Sequence, residues 1–309
     1  MKTLVTGGAG FIGSNLTKLL IEEGHEVTVL DNLSSGYQSN LPASQQLRVV
    51  AGDVRDPVAV ASAIDGAEVV FHLAASVGNK RSIDHPLDDS QINVLGTLTV
   101  LEAARGAGVR KVVYSSSAGI FGELKTLPIR EDHPVEPDTP YGASKLAGEK
   151  LCLAYAKLYD LEAVALRYFN VYGINQRYDA YGNVIPIFAH RIFHGQPIVI
   201  FGDGEQTRDF INVRDVVLAN YKAGMNRGVS GAFNLGSGSR VTINRLAEMM
   251  VDIAGEDTTI EHADPRPGDV RHSLADTNAA AAAFGFAPTI ALESGLDDYL
   301  AWSRQESAR

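Results

Sequence analysis

Tyr141 and Lys145 stand four residues apart in TPYGASKLAGE. A helix through this stretch puts both side chains on one face. A phenol is a poor base at neutral pH, because its reference pKa is about 10. A nearby positive charge favours the phenolate and lowers that value. Moving it toward 7 takes about 4 kcal/mol of differential stabilisation. A lysine and a second positive charge in a water-poor cleft can supply this. The chemistry such a pair suits is removal of an alcohol proton while a hydride leaves the same carbon, which needs a nicotinamide. The strand-like run KVVYSS ends just before Ser117, a hydroxyl able to relay the proton or hold the substrate oxygen.

A nicotinamide needs a dinucleotide site, and VTGGAGFIG offers one. Gly7, Gly10 and Gly13 lie between an apparent strand and an apparent helix. Glycines there let the backbone turn tightly and approach a pyrophosphate, which then meets the helix N-terminus. Asp31 ends the next strand, EVTVLD, where an acid accepts from the adenosine ribose. No Lys or Arg falls between Asp31 and Arg48 to receive a 2′-phosphate, so NAD is expected rather than NADP. Asp53, after the third strand, is placed for the adenine amino group. The lysine that a Walker loop needs is missing from GAGFIGS, which argues against a nucleotide triphosphatase.

The elements that must position these residues follow from periodicity. KTLVTG, EVTVLD, LRVVAGD, EVVFHLAA, KVVYSS and EAVALRYFN read as strands. Helical patterns separate them: FIGSNLTKLLIEEG ending at Gly24, about 58–64, about 87–107, and about 141–159. Alternation of this kind predicts βαβ crossovers and a Rossmann-type doubly wound parallel sheet. Residues 1–169 are expected to form the NAD-binding domain, with about 211–236 returning to it. Residues 170–309 are expected to form a smaller α/β substrate domain, with helices in VIPIFAHRIFHG, FINVRDVVLANYKAG and TINRLAEMMVDIAG and a strand in PIVIFGDG. Asp276 is expected to cap a short helix over NAAAAAFGF.

The chain has 309 residues, 45% hydrophobic and 21% charged, ordinary for a globular protein. A net charge of −10 argues against a nucleic-acid partner. The single cysteine, Cys152, suits a reducing cytosol. No signal-peptide pattern follows Met1, and no apolar run approaches membrane-spanning length, so a cytoplasmic protein without a membrane partner is expected. His190 and His194 are four apart, but Arg191 stands where a metalloprotease needs glutamate, so no metal site is expected. Acyl transfer is disfavoured too: there is no G-x-S-x-G elbow, and Ser115 to Ser117 lack an obvious histidine partner.

Taken in order, TGGAGFIG, DNLSSG, FHLAA, YSSSAGIFG, YGASK and LRYFNVYG resemble the extended short-chain dehydrogenases/reductases. The similarity covers nearly the whole chain. It lies with the NAD-dependent nucleotide-sugar epimerases and dehydratases, nearest the UDP-glucose 4-epimerases. The resemblance implies Tyr141 as base, Lys145 as its partner and Ser117 as third member. It places Phe11 and Ile12 along the pyrophosphate turn and Leu73, Ala74 and Ala75 beside the cofactor. Asn93 would stand behind the site and Tyr168 at the nicotinamide end. Asn32, Val54 and Ser115 complete the implied cofactor set.

On the substrate side the resemblance implies Asn170 at its start and Asn183 and Val184 over the nucleotide. Ile200 and Phe201 would flank the uracil, Arg208 and Arg266 would hold the UDP diphosphate, and Asp269 would face the uridine ribose. Guanidinium groups suit that task, because they bind phosphate oxygens in pairs. Arg271 is a weaker candidate for it. Lys80 or Arg81 in SVGNKRS would reach a uronic acid carboxylate, or simply belong to a surface loop.

In the family's dehydratases the strand end carries acids that eliminate water. Here it reads Ser117-Ala118-Gly119, which favours oxidation and re-reduction at C4 of a UDP-sugar: UDP-glucose/UDP-galactose or an N-acetyl or uronic acid counterpart. A nucleotide-sugar reductase or dehydratase, and a non-catalytic NAD-sensing protein, are the alternatives. Family resemblance also implies a homodimer.

Overall fold

The run KTLVT forms β1 (Lys2–Thr6) and leads through the glycine turn into α1 (Phe11–Glu22). There follow β2 (Glu26–Asp31), β3 (Leu47–Ala51), α2 (Pro57–Ile64) and β4 (Val69–His72). The computed structural model describes residues 1–179, 182–265 and 270–307. Next come α3 (Asn79–Asp84), α4 (Pro86–Ser90), a π-helical turn over Gln91–Gly96, α5 (Thr97–Gly106), β5 (Lys111–Ser117), α6 (Pro140–Leu158) and β6 (Glu162–Tyr168). The remainder holds β7 (Asn170–Tyr172), α7 (Val184–Phe193), β8 (Ile198–Phe201), β9 (Thr207–Arg208), β10 (Phe210–Asn212) and α8 (Val213–Met225). It ends with β11 (Gly231–Leu235), β12 (Val241–Thr242), α9 (Ile243–Ala254), β13 (Ile260–Ala263), α10 (Asn278–Phe284) and α11 (Leu292–Ser307).

Seven strands form one sheet in the order β11-β6-β5-β4-β1-β2-β3. Every pairing in it is parallel. Successive side chains of a strand point to opposite faces. Val5, Val29, Phe71, Val113 and Val164 therefore bury on one face, and Leu4, Leu30, Val70, Val112 and Ala163 on the other. Covering both faces explains why these strands are continuously apolar instead of alternating. Chain order reverses at β1, whose neighbours are β2 and β4. The crevice at the carboxyl ends of these strands is where a doubly wound fold binds its ligand.

A separate core gathers Tyr172, Ile185, Phe188, Ile198, Leu246, Met250, Leu296 and Leu300 from the second half. The strand β11, from residues 231–235, joins the large sheet beside β6. Asp276 accepts from the Asn278 amide at 2.9 Å, at the start of α10. Several features were not foreseen, among them β13 and the C-terminal helix α11. The segment expected as a loop at 76–82 contains α3, and the one expected as a plain helix from about 87 contains the π-helical turn.

Candidate active site

The glycine turn is built by steric necessity. Gly7 has φ of +68°, and a Cβ there would lie 2.7 Å from the Ala74 nitrogen. A Cβ on Gly13 would lie 2.1 Å from the Gly7 oxygen. Only hydrogen fits, so α1 can begin directly against the end of β1. Gly10 caps α1 without a side-chain hydrogen bond. The first helical bond runs from Ser14 N to Gly10 O at 3.0 Å. The amides of Phe11, Ile12 and Gly13 lie ahead of it, pointing out of the helix end. Phe11 and Ile12 pack their side chains against the core, so their backbone is what faces the turn. A cradle closed to any Cβ, ending on three amides, fits the pyrophosphate of a dinucleotide.

Asp31 is buried at the end of β2. Its Oδ2 accepts from Ala9 N at 2.9 Å and its Oδ1 from Leu33 N at 2.8 Å. Each oxygen keeps a lone pair for a ribose hydroxyl. Asp53 is more committed than the sequence suggested. Arg55 forks onto it at 2.9 and 2.8 Å, and Asn32 donates to it at 2.9 Å. These donors, Arg55 foremost, hold its carboxyl far below the usual carboxylate range. An adenine amino group would have to share Asp53 with them. Val54 buries its side chain beside Gly96, which leaves its backbone for a ligand.

Beneath the crevice, His72 at the end of β4 is buried between two hydroxyls. Thr6 Oγ1 lies 2.7 Å from Nδ1, and Thr97 Oγ1 lies 2.9 Å from Nε2. Thr97 donates to Asn93 O, so the histidine must donate from Nε2 and accept at Nδ1. Burial pushes its pKa down to about 3, which keeps the ring neutral. Ala74 N donates to Thr6 Oγ1 at 3.2 Å, fixing the Leu73-Ala74-Ala75 segment at the sheet edge. Asn93 spends its amide on Ser76, Asp89 and Ser144. These bonds hold the segment after β4 in place.

The reacting residues sit at the start of α6. Thr139 caps that helix by accepting from Gly142 N at 3.2 Å, and Pro140 opens its first turn. A Cβ on Gly142 would lie 2.4 Å from Gly119 O, so glycine is what lets α6 reach the turn after β5. Ser82 of α3 accepts from Tyr141 N at 3.0 Å. Ser117 accepts from Gly119 N at 3.0 Å, and its hydroxyl beside the Tyr141 phenol favours the phenolate. An added Cβ on Gly119 would lie 3.3 Å from Ser117 Oγ and 3.7 Å from the Tyr141 ring.

The expected Lys145–phenol contact is corrected. Lys145 donates to Ser115 Oγ at 3.3 Å and lies 4.6 Å above the Tyr114 ring. Burial pushes its pKa down to about 8. Burial also pushes Tyr141 up to about 12, the Ser117 hydroxyl opposing and the Asp89 charge assisting. Helical spacing brought the pair to one side of α6, but strand β5 captured the ammonium.

The remaining expected residues scatter along the second half. Tyr168 turns its hydroxyl inward to Asn220 at 2.8 Å. Asn170 donates to Asp209 O at 3.0 Å. Asn183 precedes α7 and Val184 opens it. Phe201 is half-buried, but Ile200 is a correction: strand alternation sends its side chain into the core, where it is 1% exposed. Arg208 donates to Thr207 O at 3.0 Å. Arg266 and Asp269 lie outside the described residues. Arg271 pairs with Asp203, Lys80 with Asp84 and Arg81 with Asp179. His190 stacks between Tyr178 and His194, each 4.0 Å away. Among the described residues, no group of three or more His, Cys, Asp or Glu is placed to hold a metal. None of the described helices is long and apolar enough to cross a membrane.

A parallel doubly wound sheet, a glycine cradle and a tyrosine–serine–lysine group at the ends of its strands define a dinucleotide-dependent enzyme of the short-chain dehydrogenase/reductase type. The model of the NAD dependent epimerase/dehydratase family matches residues 3–236, and the chain belongs to that family. UDP-glucose 4-epimerase of Mycolicibacterium smegmatis is 40% identical, over 99% of this chain and 100% of the relative. Among solved structures, UDP-glucose 4-epimerase of Thermotoga maritima with UDP-glucose superposes with a TM-score of 0.95. It is 38% identical and covers 99% of this chain and 100% of its own. UDP-N-acetylglucosamine 4-epimerase of Methanobrevibacter ruminantium, in complex with UDP-N-acetylmuramic acid, also gives 0.95. It is 36% identical and covers 99% and 98%.

Proposed function

We propose that the chain is an NAD-dependent 4-epimerase of a UDP-sugar. The observation that carries this reading is the strand end itself. Ser117, Ala118 and Gly119 meet Tyr141 with no carboxylate in that run, so proton transfer at an alcohol is supplied for and elimination is not. Bound NAD supplies the acceptor and later the donor of the C4 hydrogen. Tyr141 takes the O4 proton, and Ser117 holds the same oxygen. Lys145 stays charged against β5 and faces the nicotinamide ribose. The 4-keto sugar turns over while its UDP remains anchored, so that the C4 hydrogen comes back on the opposite face and Tyr141 returns the proton to O4. The family's dehydratases, acting from acids at this strand end, are the runner-up. The names of the relatives support the 4-epimerase.

Residues 1–169 and about 211–236 hold NAD in this reading, and 170–309 hold the nucleotide sugar. Asn170, Asn183, Val184, Phe201, Arg208, Arg266 and Asp269 are the anchoring set, with Ile200 limited to its backbone. The protein works in the cytoplasm as a homodimer, joined through a bundle that includes α5 and α6. Leu95 and Leu158, 56% and 71% exposed, lie at the edges of that bundle. A monomer mass by light scattering would overturn the dimer, and fractionation to a membrane or exterior would overturn the location.

The deciding experiment is NMR of purified protein, without added NAD, incubated separately with UDP-glucose, UDP-N-acetylglucosamine and UDP-glucuronic acid. A C4 epimer in one tube establishes the reaction and the sugar class. No change in any tube, with NAD then added and its binding demonstrated, overturns the reading for these sugars.

A further inference from the structure

A carboxylate with no exposed surface lies directly behind the Tyr141–Lys145 turn, and the chemistry above makes no use of it. Asp89, in α4, accepts from Ser144 Oγ at 2.6 Å through Oδ2 and from Asn93 Nδ2 at 3.1 Å through Oδ1. Ser144 lies between Tyr141 and Lys145 on α6, with its Oγ 3.0 Å from the Tyr141 carbonyl. Asn93 ties the same group to both backbone atoms of Ser76, at 2.9 and 3.0 Å. A buried carboxylate is costly unless it is hydrogen-bonded and countered. Burial raises the Asp89 pKa, and Ser144, Asn93 and the Lys145 charge pull it back.

We propose that Asp89 is a positioning residue of the reaction: through Ser144 it fixes the turn between Tyr141 and Lys145, and its charge is the buried counter-ion that keeps Lys145 protonated. This rests on Tyr141 being the base. The other groups facing Lys145 cannot take that part. His72, from β4, is neutral. Tyr114, from β5, is pushed far up by burial and holds its proton, while Ser115 beside it carries no charge. Cys152, two helical turns beyond on α6, is likewise held as the thiol by burial. Glu149 on the same helix is an anion, but it is forked by Arg167 at 3.0 and 2.8 Å. Tyr141 is protonated at rest, burial being the main cause.

Removing one negative charge lowers the pKa of both Tyr141 and Lys145. Loss of Asp89 must therefore move the acid and the alkaline limbs of the activity profile in the same direction, to lower pH. A residue that only supports the fold would lower stability or rate and leave both limbs in place. Asp89→Asn keeps the size and removes the charge. Its kcat–pH profile is expected to shift down by about half a pH unit or more on both limbs. The Lys145 ammonium, followed by NMR of labelled lysine in NAD-free protein, is expected to lose its proton at correspondingly lower pH. Unmoved limbs together with an unmoved lysine titration would overturn the proposal. If Asp89→Asn does not fold, Asp89→Ser removes the charge, keeps an acceptor and reads the same shift. Ser144→Ala leaves the charge and cuts the link; kcat is expected to fall about tenfold with the profile in place, and an unchanged kcat would overturn the positioning role. The lysine titration needs no substrate, so a failure of the 4-epimerase reading shows separately, as no turnover of any UDP-sugar by the unaltered protein.

Discussion

At the scale of single residues, Tyr141 is a base that the resting protein keeps protonated. Burial pushes it up to about 12, and the Ser117 hydroxyl recovers only part of that. A protonated phenol avoids an unpaired charge in a water-poor site. Tyr141→Phe removes one oxygen and leaves the glycine cradle untouched. It should bind NAD as the unaltered protein does and lose turnover by about 10²–10⁴-fold, the usual range for a general base. Isothermal titration with NAD and the NMR assay check the two halves, and turnover within a few-fold of the original would remove Tyr141 from its role. The tyrosine, its lysine and the serine were legible in the sequence, because motif spacing records which residues share an element. Where the Lys145 ammonium points was not legible. That depends on Ser115 and Tyr114, which belong to a strand thirty residues earlier.

At the scale of elements, the placement of Tyr141 depends on how α6 is clamped. Its buried face carries Glu149, which receives Ser116 Oγ of β5 at 2.7 Å and the fork of Arg167 from β6. Glu149 is fully buried and Arg167 is 4% exposed. Breaking such a pair strands a charge in the core. Glu149→Ala should cost about 3–5 kcal/mol in denaturant unfolding, with Arg167 left uncompensated. A loss below 1 kcal/mol would mean that the clamp is incidental. Exchanging both residues for methionine should cost far less than the single change, since an apolar pair leaves no charge behind. Glu149 and Arg167 gave no signal as a pair in the sequence, since eighteen residues and a strand crossover separate them. Asp89 and Asn93 did have one, four apart on a helix, which is the spacing at which they now bond. The short helix α3 was hidden because SVGNKRSID has little apolar periodicity; Ser82 holds it to Tyr141 N by one hydroxyl.

At the scale of the whole molecule, the order of strands and helices in the first half was legible, because each strand is a short apolar run bounded by turn residues. The second half was less so. Strand β8 was readable in PIVIFGDG, but β9 and β12 are only two residues long, too short to show a period. Ile200 illustrates the limit: only the alternation of an actual strand reveals that it faces the core. The sheet, the helices on it and the crevice meet at His72, whose two hydroxyl partners come from β1 and α5. This junction gives the fold a pH dependence. The folded histidine takes a proton only near pH 3, whereas an unfolded one does so near 6.5. Between these values the unfolded chain binds more protons, so stability from this site is complete above about 6.5 and is lost as pH falls. At pH 4 the loss is about 3 kcal/mol. His72→Leu removes the titration and keeps an apolar side chain in the core. Its stability at pH 7 should fall through the loss of both hydroxyl bonds, but the further drop between pH 7 and pH 4 should be about 3 kcal/mol smaller than in the unaltered protein. Urea unfolding of both proteins at the two pH values measures the difference. Equal drops would mean that His72 opens to water before the sheet does, and that the junction is not part of the cooperative fold.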